Sequence, residues 1–160
     1  MSPVSGAVVA LVAFLAMEPI SYGTHRWVMH GIGMRWHRSH HTASTGTWEA
    51  NDIFPVLFST IGVATFAAAA LGGPVWLYWA GGGITAYGIT YLFVHEVYIH
   101  RRLRSPVDDV AYLDWLRESH RIHHLFGGEP YGMLLPLVPR RLRVRAATRR
   151  QMTASTRSRL

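Results

Sequence analysis

The histidines constrain this chain more than any other feature: there are ten, and they fall into two copies of a single spacing. The first copy is His25 and His30, followed by His37, His40 and His41. The second is His95 and His100, followed by His120, His123 and His124. Each reads H-x4-H and then H-x2-H-H, and no histidine is left over. A neutral nitrogen donor that titrates near neutrality is the side chain that a transition metal collects in numbers. The repeat therefore predicts metal chemistry.

The second constraint is where the apolar residues lie. Val4 to Tyr22 holds one charge, and Ile53 to Leu71 and Val75 to Val94 hold none. Stretches of about 20 such residues match a hydrocarbon layer about 30 Å thick at 1.5 Å per residue. We read three membrane spans. A soluble helical hairpin is the alternative, but one domain of 160 residues cannot cover three helices that are apolar all round. The first span lacks a preceding basic residue and a small-x-small cleavage site, so it reads as an anchor rather than a signal peptide. All sixteen basic side chains are arginine, and they lie within 26 to 38 and 101 to 159. Those flanks share one side of a three-span chain, which the positive-inside tendency makes cytoplasmic. Two spans separate His41 from His95, so both histidine banks emerge at one membrane face. The expected fold is thus all-α: an integral membrane helical bundle of about three spans with a histidine-rich cytoplasmic helical cap.

Residues 1–139 are expected to form the membrane domain, and 140–160 an Arg-rich, disordered tail. Beside a membrane, such a tail suits anionic lipid, at about 1 kcal/mol per basic residue near the surface, better than nucleic acid, which is not an expected partner. With no cysteine, disulfides, thiolate zinc sites and iron–sulfur clusters are excluded.

In H-x2-H-H, a helix places all three rings on one face. Asp108 and Asp109 suit the start of a helix after Pro106, and Leu113, Leu116, His120, His123 and His124 continue one stripe along it. A short helix between Met34 and Ala43 is expected for the first copy. The H-x4-H pairs fit less simply, because five residues of α-helix rotate by roughly 140°. Either each pair straddles a helix end or a π-bulge, or its members serve different metals. Ten imidazoles exceed the four ligands of a structural zinc site and the one or two of a haem. Shared between two metals they give five each, which leaves a six-coordinate iron one open position. The Glu-x-x-His motif of soluble di-iron bundles is absent.

Carboxylates are few. Glu18 falls late in the first span, where it needs the interface or a partner, a histidine being the sharper option. Among Glu49, Asp52, Glu96, Asp114 and Glu118, some are expected to orient ligating rings. Asp52, Glu96 and Glu118 are the candidates, with Asp52 alternatively capping the second span. Tyr131 to Val138 is apolar but too short to span, and either lies in the interface or covers the site.

Four stretches, HRWVMHGIGMRWHRSHH (25–41), NDIF (51–54), TAYGITYLFVHEVYIHRR (85–102) and SHRIHH (119–124), resemble the bacterial β-carotene 3-hydroxylases of the membrane fatty-acid hydroxylase and sterol desaturase superfamily. The resemblance runs from about residue 17 to residue 124. Two positions depart from the family pattern: Glu96 stands where aspartate is common, and EPYGMLLPLVP stands where a Ser-Phe-Gly-Phe type segment is common. The resemblance implies two non-haem iron ions held by the ten histidines, O2 as co-substrate, and electrons from ferredoxin or a similar carrier. It also implies a carotenoid substrate taken from the bilayer, with β-carotene hydroxylated at ring carbon 3 to β-cryptoxanthin and then zeaxanthin. Tyr87, Tyr91, Phe93, Trp76 and Trp79 are candidates for an apolar slot, or else for ordinary packing and interfacial anchoring. Gly81, Gly82, Gly83 and Gly88 would admit a close neighbour. Rival functions are ring ketolation, fatty-acyl or sterol hydroxylation on the same scaffold, and metal transport. A transporter, however, should carry ligands within its spans, and the second and third hold no histidine or charge.

Overall fold

A computed structural model describes residues 1–42 and 48–157; Ala43, the far end of the expected short helix, and Arg159 lie outside them. Helix α1 spans Pro3–Gly23, with Ser2 as its N-cap accepting from the Ser5 N–H and a proline in the first turn. Its turns continue as a wider π-helical segment, Thr24–Ile32, kinked at Gly31 (φ −104°, ψ −115°). Short α2 (Met34–His37) and a 3₁₀ turn (Arg38–His41) follow. After a second 3₁₀ turn (Ala50–Asp52) come α3 (Ile53–Ala70) and α4 (Trp76–Leu92). Helix α4 runs into a second π segment (Phe93–Ile99), then α5 (Ala111–Phe126) and α6 (Arg140–Arg157) complete the chain. Among the described residues there is no strand.

Among the described residues, two helices are long and apolar enough to cross a membrane: Pro3–Ile32 and Ala50–Ala70. Only 17% of the most apolar window of each is buried inside the protein, so these helices turn apolar side chains outward, the reverse of a soluble core. Val4, Leu11, Val12, Val56, Ile61 and Val63 are all exposed. Helix α4, rich in glycine, tyrosine and tryptophan, packs between α1 and α3. Its glycines work as the sequence suggests at two positions. A Cβ on Gly83 would stand 2.1 Å from the Ala10 carbonyl oxygen of α1, and one on Gly81 would press on the Phe66 ring of α3. Gly82 and Gly88 meet no neighbour within 4 Å.

The tail corrects an expectation: from Arg140 to Arg157 it is helical, not disordered. Arginine, alanine, glutamine and methionine favour helix, and no glycine or proline interrupts them after Pro139. Ala146 is buried, the Arg145 guanidinium lies 4.8 Å from the Phe126 ring centre, and Arg150 pairs with Glu118 at 3.1 Å, which docks α6 on α5.

Candidate metal centre

The H-x4-H pairs sit where the helix widens. With backbone bonds reaching five residues back, as from the His100 N–H to the His95 carbonyl (2.9 Å), residues five apart return to one face. Of the alternatives open in the sequence, the π-bulge is the one found. Gly33 receives the chain after the first π segment; a Cβ there would lie 2.8 Å from both the Phe54 ring and the Val28 carbonyl.

All ten imidazoles meet, in two sets. Ring nitrogens of His25, His30, His37, His41 and His123 lie within 4.8 Å of one another, as do those of His40, His95, His100 and His120. His124 joins the second set, its Nε2 standing 3.1 Å from that of His40 and 2.8 Å from that of His120. Each set therefore takes four histidines from one copy of the repeat and the middle histidine of H-x2-H-H from the other. His40 crosses to the second set and His123 to the first. The sets touch: the His41 and His124 rings stack at 4.4 Å.

Proton positions show what these sets require. His25 Nδ1 donates to the Tyr131 carbonyl (2.9 Å), His37 Nδ1 to Asn51 Oδ1 (2.7 Å) and His123 Nδ1 to the Gly128 carbonyl (2.6 Å). His95 Nδ1 donates to Glu96 Oε1 (2.6 Å). These oxygens have no proton to give, so each ring carries a hydrogen on Nδ1, and the neutral ring then has a bare lone pair on Nε2. Yet the Nε2 atoms of His25 and His37 face each other at 3.2 Å. Two lone pairs aimed at one point are repulsive unless a cation lies between them. The residues present therefore fit a metal ion, and their geometry calls for one.

Electrostatics favours the ligating form. Burial, reinforced by neighbouring rings, lowers His37 and His41 to about 4, and His100 and His124 to about 3. His40, His120 and His123 are depressed further by the same causes. Only neutral imidazole binds metal, so the pocket holds these rings ready at neutral pH.

The carboxylates divide. Burial alone would raise Glu96, but hydrogen bonds from His95 and Arg102 outweigh it and bring it to about 2. Asp52 touches no histidine; it accepts from both terminal nitrogens of Arg102 (2.8 and 2.9 Å), which in turn holds Glu96 (2.8 Å). It also accepts from the Glu49 N–H, so it caps the turn before α3 as well. Glu118 corrects the expectation: it lies on the far side of α5, half-exposed, and binds Arg121 and Arg150 instead of a ring. Glu18 does not reach a histidine either. Its carboxylate accepts from the Tyr87 hydroxyl (2.7 Å) and from the N–H groups of Met133 (3.0 Å), Leu134 (3.1 Å) and Leu135 (2.9 Å). Four donors explain how a carboxylate is tolerated within a span.

Glu18 thereby ties down the segment after α5. Gly127 ends that helix in the left-handed region (φ 64°), and the chain turns back over the first histidine set. Gly128 and Tyr131 supply carbonyls to His123 and His25, and Glu129 accepts from the Tyr22 hydroxyl (2.7 Å). Of Tyr131–Val138, Tyr131 lies against the first set, its ring 5.1 Å from that of His30, while Met133 to Leu135 are held by Glu18 and Leu135 and Leu137 are exposed. Asn51, Gly128 and Tyr131 were missed as ring partners. The NDIF stretch was a signal for Asn51, whereas a backbone carbonyl leaves none.

A family model described as fatty acid hydroxylase matches residues 10–142. The chain belongs to that family. Within it, the chain is similar to the β-carotene hydroxylase of Pseudescherichia vulneris, 40% identical over 76% of this chain and 69% of that protein. That of Pantoea ananas is 35% identical, over 77% and 70% respectively. A chloroplastic β-carotene 3-hydroxylase of Haematococcus lacustris is 37% identical over 76% of this chain but only 40% of its own length. No solved structure matches. As a fatty acid hydroxylase family member, the chain is an enzyme of O2-dependent hydroxylation, and its two histidine sets are groups that could hold metal ions.

Proposed function

We propose that this chain is a membrane non-haem di-iron monooxygenase that hydroxylates carbon 3 of the carotenoid β-ionone ring, taking β-carotene through β-cryptoxanthin to zeaxanthin. The observation that carries this reading is the pair of five-imidazole sets, each completed by a histidine from the other half, in a chain similar to β-carotene hydroxylases. Iron held by all-nitrogen sets supplies the activation of O2 needed to place one oxygen atom into an unactivated C–H bond, using external electrons. The protein's own work is to hold, exclude and orient. His37 and His123 are buried to 1% and 0% exposure, so water is kept from the inner nitrogens.

Regiochemistry is a matter of position. Carbon 4 of the ring is allylic and has the weaker C–H bond, so selectivity for carbon 3 requires that this carbon be held nearest the metals. Of the candidate slot residues, Tyr91 fits best. Its ring is 5.3 Å from that of His95, and it packs with Phe93 on the cluster of Val94, Leu116 and Met133. Tyr87 is buried against Phe14 and bonded to Glu18, and Trp79 fills the space over Gly6, so both are packing residues. Trp76 is exposed near the start of α4, away from the rings.

We take α4 as the third span, its π segment leading out of the bilayer into the histidine cap, with that cap and the C-terminus cytoplasmic and residues 1–139 as the catalytic domain. Ferredoxin or a similar carrier delivers the electrons, and the arginines of α6 meet anionic lipid. The test is product analysis in cells that accumulate β-carotene and express the iron-loaded protein. Zeaxanthin and β-cryptoxanthin are expected. A well-expressed, iron-loaded protein giving only ketolated products, or none, overturns the assignment.

A further inference from the structure

The two imidazole sets are alike at their inner nitrogens and unlike behind them. In the first set, the outer nitrogens of His25, His37 and His123 donate to uncharged oxygens: the Tyr131 carbonyl, the Asn51 amide and the Gly128 carbonyl. Behind the second set stand carboxylates. Glu96 accepts a hydrogen bond from His95 Nδ1, and Glu49 Oε2 faces His40 Nδ1 at 3.8 Å. That Glu49 oxygen is buried and, among the described residues, has no hydrogen-bond partner. A buried carboxylate oxygen without a donor is costly, and a shift of under one ångström would let the outer N–H of His40 satisfy it. The surrounding charge leans the same way. Arg102 is shared between Asp52 and Glu96, so Glu49, Asp52 and Glu96 together outweigh it, whereas Glu129 near the first set is matched by Arg26 at 3.1 Å.

A carboxylate behind an imidazole makes the ring a more basic ligand, and ligand basicity favours the higher charge on the ion it holds. We propose that Glu49 and Glu96 make the two metal positions electronically unequal, so that an iron held by His40, His95, His100, His120 and His124 is harder to reduce than one held by His25, His30, His37, His41 and His123. Glu49 is a positioning residue in this scheme, acting through His40, the ligand that crosses from the first half. The proposal rests on the two-iron reading above.

The test is Mössbauer spectroscopy of the full chain loaded with ⁵⁷Fe, after metal analysis, in the oxidised form and after one electron per iron pair from dithionite. Fewer than two irons per chain would sink the two-iron reading, not the charge argument. With two, unequal ferric signals are expected, and the single electron converts one ferric ion to ferrous with no bond made or broken. Glu49→Gln and Glu96→Gln are expected to shift the signal that stays ferric, and Asn51→Asp the other. One signal shared by both ions, or an unchanged spectrum in Glu49→Gln, overturns the proposal. Should Glu49→Gln lose iron, Asn51→Asp decides: a narrowed difference between the signals supports the proposal, and an unchanged one contradicts it.

Discussion

The two halves of this molecule carry one ligand spacing on unlike backbones. In the first, the π segment turns at Gly33 into four residues of α2 and a 3₁₀ turn, so His37, His40 and His41 sit on a short, irregular stretch. In the second, about ten residues separate the π segment from α5, and His120, His123 and His124 lie in a regular helix of 16 residues. The rings nonetheless arrive equivalently, each copy sending its middle histidine across. What the spacing encodes is the constellation of rings, and each backbone is held in place by whatever lies next to it. For the irregular copy that is Asn51, borrowed from the turn before α3; for the helical copy it is the strap, residues 127–138, that follows α5.

The comparison can be broken most severely at the crossing ligands. His40→Ala and His123→Ala are each expected to abolish product, a loss of at least about 100-fold, because each removes a ligand that the other half cannot replace. Near-normal turnover in either variant would show that the halves work separately.

Acid comes next and should strike both halves. The rings have folded values below the ordinary 6.5, at about 4 for His37 and His41 and about 3 for His100 and His124. The unfolded, metal-free chain then binds protons that the folded one refuses. The stability due to neutral rings is complete above pH 6.5 and is lost as pH falls toward those values. Iron retained after dialysis should fall between about pH 6 and about pH 4; a flat profile would argue against imidazole ligation.

Asn51→Ala separates the halves. It leaves the outer N–H of His37 without an acceptor and is expected to weaken metal binding about 10–100-fold, read by competition with a chelator. Equal weakening in both sets, seen by metal spectroscopy, would contradict the assignment of Asn51 to one of them. Gly83→Leu acts further away, wedging α1 from α4. A loss of about 1–3 kcal/mol is expected in detergent-solubilised thermal unfolding, and unchanged stability would disprove the close crossing. Glu118→Ala should be nearly silent, within about 0.5 kcal/mol and with full activity, because its carboxylate faces Arg121 and Arg150. A large activity loss would put it back behind a ligand.

Much of the site was legible because ligand spacing is local. His25, His30 and their counterparts His95 and His100 needed only the π-helical period to be placed. The helix of His120, His123 and His124 followed from its stripe. What stayed hidden depends on chain crossings that no local pattern records. The ring partners Gly128 and Tyr131 act through backbone carbonyls, identical in every residue type. Glu18 and Met133 are 115 residues apart, and their pairing is set by how the strap returns to α1. Glu118 misled because nearness in sequence to His120 does not tell which face of α5 a residue takes. The tail misled because arginine density suggests a solvated chain, although arginine is also a good helix former.

Metal counting on the purified chain tests the central claim most directly: that two halves of one polypeptide build two interlocked imidazole sites. Two irons per chain are predicted for the wild type, with X-ray absorption showing nitrogen neighbours, and fewer than two when His123 is replaced by alanine. One iron in the wild type, or two fully retained in the variant, would contradict it.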